Sequence, residues 1–140
     1  MIKNTKITNH ILSRIPAAAN YLNSLTSIEF AYLFGGLVKH GLRPLSDVDI
    51  AVHLEPATDI VETKLELLDH LIDILQTDEI DLVILNNAPL TLKMQILYHK
   101  RILVDKKPFV RHAFESLTMR EYFDFSFLEK GILKRRYLNG

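Results

Sequence analysis

The order of segments along the chain predicts a mixed α/β (α+β) domain, with helices packed against one small sheet. Two observations carry that expectation. Stretches with apolar residues at helical spacing alternate with short runs of β-branched and aromatic residues. The strand-like runs also stop at turn-forming pairs, Gly35-Gly36 after the first and Asn86-Asn87 after the third.

Ile11, Leu12, Ile15, Ala18, Ala19 and Leu22 recur at helical spacing and define an amphipathic first helix. Pro16 sits inside that pattern, which calls for a restart or a kink. Residues 28–34 (IEFAYLF) read as the first strand and residues 47–54 (DVDIAVHL) as the second. Thr58 or Asp59 can then cap a helix whose Val61, Leu65, Leu68, Ile72 and Leu75 form one apolar stripe. A third strand is expected over 80–85 (IDLVIL). Pro89 suits the first turn of another helix, reaching to about Tyr98. Residues 102–104 form a short strand. From Pro108 onward Val110, Phe114, Leu117, Phe127, Leu128, Ile132 and Leu133 indicate a largely helical end. Tyr122, Phe123, Phe125 and Phe127 are expected mostly in the core, with some left for an interface patch.

At 140 residues, with no repeat, linker or low-complexity tract, the chain is expected to form a single domain over residues 1–140. Its 48% hydrophobic and 24% charged residues are those of a folded chain rather than a disordered one. Lys+Arg and Asp+Glu both number 17. A protein that holds nucleic acid through its backbone carries a basic surplus, so the balance argues against direct nucleic-acid binding. Zero net charge also gives little protection against association, which fits a hetero-oligomer with a partner subunit. The lack of cysteine excludes disulfides, thiolate zinc sites and cysteine nucleophiles, and it suits a reducing cytoplasm. No apolar run is long enough for a signal peptide or a membrane span, so a soluble, cytoplasmic protein is expected.

The informative segment is FGGLVKHGLRPLSDVDIAV, in which Gly35-Gly36 precede Asp47-Val48-Asp49 by ten intervening residues. Side chains alternate along a strand, so Asp47 and Asp49 leave one face while Val48 and Ile50 leave the other. Adjacent carboxylates repel unless water, a shared proton or a cation relieves them. Hard oxygen ligands of this kind suit Mg²⁺ or Mn²⁺, either of which takes substrate phosphates as its other ligands. Asp81, at the start of the third strand, completes a triad if the second and third strands pair. Three carboxylates can hold two divalent ions about 3.5–4 Å apart, the geometry for in-line phosphoryl displacement.

Gly35 and Gly36 expose backbone N–H groups to phosphate oxygens, and a short helix over 37–40 can aim its positive end at the same anion. Lys39 and Arg43, in the same loop, can meet a triphosphate. Each is individually more often solvated surface. Ser46 suits a structural role in the turn that enters the strand. The six histidines show neither HxH nor HExxH spacing, and no GxSxG elbow or Walker A loop is present. Lys130, Lys134, Arg135 and Arg136 read as a solvated helix face, with contact to RNA or an acidic partner as the lesser alternative.

This pattern resembles the Gly-Ser and Asp-x-Asp signature, ten residues apart, of the polymerase-β-like nucleotidyltransferase superfamily. It is closest to the minimal nucleotidyltransferase (MNT) branch. The resemblance covers roughly residues 28–105, leaving a helical C-terminal segment over 108–140. It implies a nucleotidyltransferase-like fold, with a small mixed and mostly antiparallel sheet flanked by helices. It also implies that Asp47, Asp49 and Asp81 are the metal ligands, with Asp81 alternatively acting as base for the incoming hydroxyl. Gly35, Gly36, Lys39, Arg43 and Ser46 then form the nucleotide-binding loop. Gly36 stands where the family usually has Ser, so a hydroxyl contact to the triphosphate is lost and weaker nucleotide affinity is expected.

What the resemblance implies about function is Mg²⁺-dependent transfer of AMP from ATP to a tyrosine of a cognate HEPN-domain ribonuclease toxin. The chain would then be the antitoxin of a toxin–antitoxin pair. Two rivals stand beside this. One is a non-catalytic antitoxin that works by docking to the toxin. The other is an adenylyltransferase acting on a small molecule such as an aminoglycoside.

Overall fold

The computed structural model describes residues 5–35 and 48–138, with side chains over 10–35 and 48–132. Gly36, Lys39, Arg43, Ser46 and Asp47, and the helix expected over 37–40, lie outside the described residues. The elements are α1 (Thr5–Ser24), β1 (Ile28–Phe34), β2 (Val48–Leu54), α2 (Ile60–Leu75), β3 (Ile80–Ile84), α3 (Leu90–His99), β4 (Arg101–Asp105) and α4 (Pro108–Leu138). A single 3-10 turn, Leu85–Asn87, joins β3 to α3. This is the order expected from the sequence.

The sheet runs β3-β2-β1-β4. β1 is antiparallel to both β2 and β4, while β2 and β3 are parallel. It is therefore mixed and mostly antiparallel. A parallel pair needs a crossover of a dozen or so residues, and α2 supplies it.

Strand alternation then builds two apolar layers. Val48, Ile50, Val52 and Leu54 of β2 face α1 and α2 and pack with Leu22, Leu67, Leu71 and Leu75. Phe30, Tyr32 and Ala51 face the other way, against Ile96 of α3 and Phe114 of α4.

α1 runs through Pro16 without interruption. Pro16 is exposed, so the backbone bond it cannot make is lost on the solvent side, where water can replace it. Of the two candidates for the α2 cap, Asp59 is the one used. Its carboxylate accepts the Glu62 N–H at 3.0 Å.

Two expectations are corrected. The buried stripe of α2 is Leu67, Leu71 and Leu75, whereas Val61 and Leu65 are 71% and 64% exposed. Apolar residues on α2 are dense enough to offer two overlapping stripes, and packing on α1 and β3 selects one. The aromatics Phe123, Phe125 and Phe127 are exposed rather than core. α4 has 31 residues, a rod of about 46 Å, while a five-residue strand spans only about 17 Å. The helix outruns the sheet it packs on.

Candidate active site

β1 ends at Phe34, and the next residue, Gly35, has φ +74°, a left-handed conformation that costs glycine little. A second constraint acts at the same place. A Cβ on Gly35 would lie 1.9 Å from Oδ2 and 2.7 Å from Cγ of Asp49. Only glycine lets the chain turn here with the carboxylate against its backbone. Asp49 is 5% exposed.

Across the sheet Asp49 is opposite Phe34 on β1 and opposite Asp81 on β3. Residues in direct register on neighbouring strands send their side chains to the same face, about 4.8 Å apart along the row. The flanking residues agree, because Val48, Ile50 and Leu82 belong to the α1/α2 core on the opposite face. Two of the three expected carboxylates are thus neighbours, one nearly buried against Gly35 and the other, Asp81, exposed. Among the described residues no group of three His, Cys, Asp or Glu could hold a metal ion. Asp47 is not among them. The donor set that is present consists of hard carboxylate oxygens beside a glycine turn, which fits a divalent ion such as Mg²⁺.

Residues that sequence reasoning passed over hold this region in place. The Tyr32 hydroxyl, on the same sheet face as Asp49, donates to Glu115 Oε2 at 2.5 Å. Burial first, and then this bond to a carboxylate, push the phenol well above its ordinary pKa, so it keeps its proton. Arg111 donates to both Asp105 oxygens, at 2.9 and 3.0 Å, and to Glu115 at 3.2 Å. Lys100 lies 3.7 Å from Glu115 and 5.9 Å above the Tyr32 ring. This network ties α4 to β1 and β4. Its one legible trace was the i,i+4 spacing of Arg111 and Glu115.

A second cluster lies farther along the sheet. Glu29, nearly buried, meets His53 Nδ1 at 2.9 Å and Lys107 at 3.4 Å, and Lys107 also reaches Glu55 at 2.6 Å. Burial lowers the His53 pKa, and the Glu29 carboxylate opposes that only in part. Asn86, expected only as a turn residue, does more. Its side-chain amide accepts the Leu54 N–H and donates to the Leu54 carbonyl, both at 2.8 Å.

A two-carboxylate row beside a glycine turn, on a mixed sheet of this order, is the frame of a nucleotidyl-transfer enzyme. The sequence matches the family model "Polymerase beta, Nucleotidyltransferase" over residues 17–109. That span holds the four strands found among the described residues, and the chain belongs to this family of nucleotidyltransferases. No curated protein matches it in sequence.

Solved structures share the fold. A toxin–antitoxin structure with AMP-PNP superposes at a TM-score of 0.64 and 23% identity, covering 91% of this chain and 95% of that one. The toxin–antitoxin MntA-HepT gives 0.59 and 23%, covering 94% and 97%. A chain of the Shewanella oneidensis complex of a tri-AMPylated HEPN toxin with an MNT antitoxin gives 0.60 and 21%, covering 91% and 93%.

Proposed function

We propose that this nucleotidyltransferase is a minimal, MNT-type antitoxin that transfers AMP from ATP to a tyrosine hydroxyl of a cognate HEPN toxin in the cytoplasm. The observation that carries the reading is the register of Asp49 with Asp81 beside Gly35, in a chain of this family. The neighbouring folds lend support in kind, since one holds AMP-PNP and another is paired with a tri-AMPylated HEPN toxin.

In this reading Asp47, Asp49 and Asp81 hold Mg²⁺, with two ions the expected number. Bound there, the metal neutralises phosphate charge and polarises the α-phosphorus. Gly35 keeps the Asp49 carboxylate tight against the backbone. The amide of Gly36, with Lys39 and Arg43, holds the triphosphate, while Ser46 braces the turn into β2. Asp81, open to solvent where Asp49 is not, either completes the metal ligands and helps hold the acceptor hydroxyl or, as the alternative, takes its proton. The acceptor oxygen attacks the α-phosphorus in line, its bond to the pyrophosphate oxygen breaks, and pyrophosphate leaves. Positioning and charge stabilisation supply most of the rate.

The test is incubation with ATP labelled at the α-phosphate, Mg²⁺ and a cognate HEPN protein, or with an aminoglycoside panel in its place. Label on the HEPN protein supports the proposal. Label on a drug alone, or toxin binding with no label, supports one of the rivals instead. Asp47→Asn combined with Asp49→Asn abolishes transfer and leaves toxin docking intact. A double variant that still transfers AMP refutes the site.

A further inference from the structure

The row that holds the two carboxylates has a cation at its far end. Asp81, Asp49 and Phe34 stand side by side on β3, β2 and β1. β4 extends the row, because it pairs Ile102 with Tyr32 and Arg101 with Leu33, and the next step sets Lys100 opposite Phe34. Lys100 closes α3 in an extended conformation, φ −68° and ψ 151°, which continues the strand by one residue. Side-chain alternation puts Lys100 on the face of Asp49, and its Nζ, 5.9 Å above the Tyr32 ring, agrees. Phe34 packs into the same layer as Tyr32. Two strand spacings, about 9–10 Å, separate Lys100 from Asp49 along the row.

The ammonium group is positioned but keeps its donors. Nζ lies 3.7 Å from Glu115 Oε2, beyond hydrogen-bonding distance, and Glu115 already accepts from Tyr32 and Arg111. Among the described residues Lys100 donates no hydrogen bond, and its side chain is 26% exposed.

In-line displacement gives the two ends of the row different tasks. In the catalytic reading above, the acceptor hydroxyl arrives on the side of Asp81, and the α-phosphorus sits at the metal beside Asp49. Attack and departure lie on opposite sides of the phosphorus, so pyrophosphate leaves towards β1 and β4. Its way runs past the left-handed turn at Gly35, which follows Phe34, to Lys100. The departing group gains negative charge as its bond to the α-phosphorus breaks, and an ammonium with donors to spare is suited to receive it.

We infer that Lys100 binds the β- and γ-phosphates of the nucleotide and stays on the pyrophosphate as it leaves. It donates hydrogen bonds to non-bridging oxygens and transfers no proton. This rests on the catalytic reading and supplies the leaving-group end of that site.

Isothermal titration calorimetry in Mg²⁺, with inorganic pyrophosphate, AMP-PNP and AMP as ligands, tests it. Lys100→Met weakens pyrophosphate and AMP-PNP by about ten- to a hundredfold, as loss of a hydrogen bond to a charged group does. AMP lacks both outer phosphates and stays within about twofold, which also shows that the variant is folded. Lys100→Arg restores most of the lost affinity. Lys64→Met, an equal loss of charge on the exposed side of α2, changes none of the three. Affinities that are the same in Lys100→Met and the parent overturn the inference and leave the catalytic reading standing. A fall shared by AMP, or matched by Lys64→Met, also overturns it, since packing or net charge then accounts for the effect. A parent that binds none of the ligands removes the nucleotide site itself, and Lys100 with it.

Discussion

At the scale of single residues, Gly35 and Asp49 act as one unit. Gly35→Ala meets two penalties, a left-handed φ and a Cβ placed inside the Asp49 carboxylate. The expected cost is about 1–3 kcal/mol in urea unfolding, together with loss of nucleotidyl transfer. Adding Asp49→Ala removes the second penalty, so the double variant is destabilised by less than the sum of the two singles. Strict additivity would refute the contact. Part of this site was legible beforehand, because period-2 alternation and strand pairing suffice to bring Asp49 and Asp81 to one face. The approach of a carboxylate to a glycine backbone leaves no mark in spacing. The Tyr32–Glu115–Arg111–Asp105 network was equally hidden, since its partners come from three elements whose packing no local pattern encodes.

At the scale of elements, type and order were readable and orientation was not. α2 shows why. Its capping residue and its helical period are local properties, so Asp59 and the extent of the helix were foreseeable. Which of two apolar stripes turns inward depends on α1 and β3, which are distant in sequence. Leu71→Ala is therefore expected to cost about 2–5 kcal/mol, as a cavity in a packed layer does. Leu65→Lys is expected to stay within about 0.5 kcal/mol of the parent. Equal losses in thermal or urea unfolding would contradict the observed rotation of the helix. The exposed aromatics of α4 teach the same lesson, because hydrophobic residues predict burial only as far as the body that could bury them extends.

At the scale of the whole molecule, both sheet faces are covered, and no helix among the described residues is long and apolar enough to cross a membrane. Stability should then respond to pH through His53. Its folded pKa lies below its ordinary 6.5, so the unfolded chain binds the proton more readily. The contribution of the neutral ring is complete above that ordinary value and is lost as pH falls through the lower folded one. Urea unfolding at about pH 7.5 and at about pH 5 should show a drop that is smaller in His53→Gln. An equal drop in both would assign the acid response to other groups.

The parallel joint between β2 and β3 carries one more consequence. Strand pairing advances in whole residues, and a slip of one would turn Asp81 to the back of the sheet while the fold remained recognisable. The two strands are separated in sequence by the crossover helix, so nothing local sets their alignment. The buried Ile50, Val52, Leu82 and Ile84 favour one register, and Asn86, locked onto both backbone groups of Leu54, reinforces it like a peg that stops one rail sliding along another.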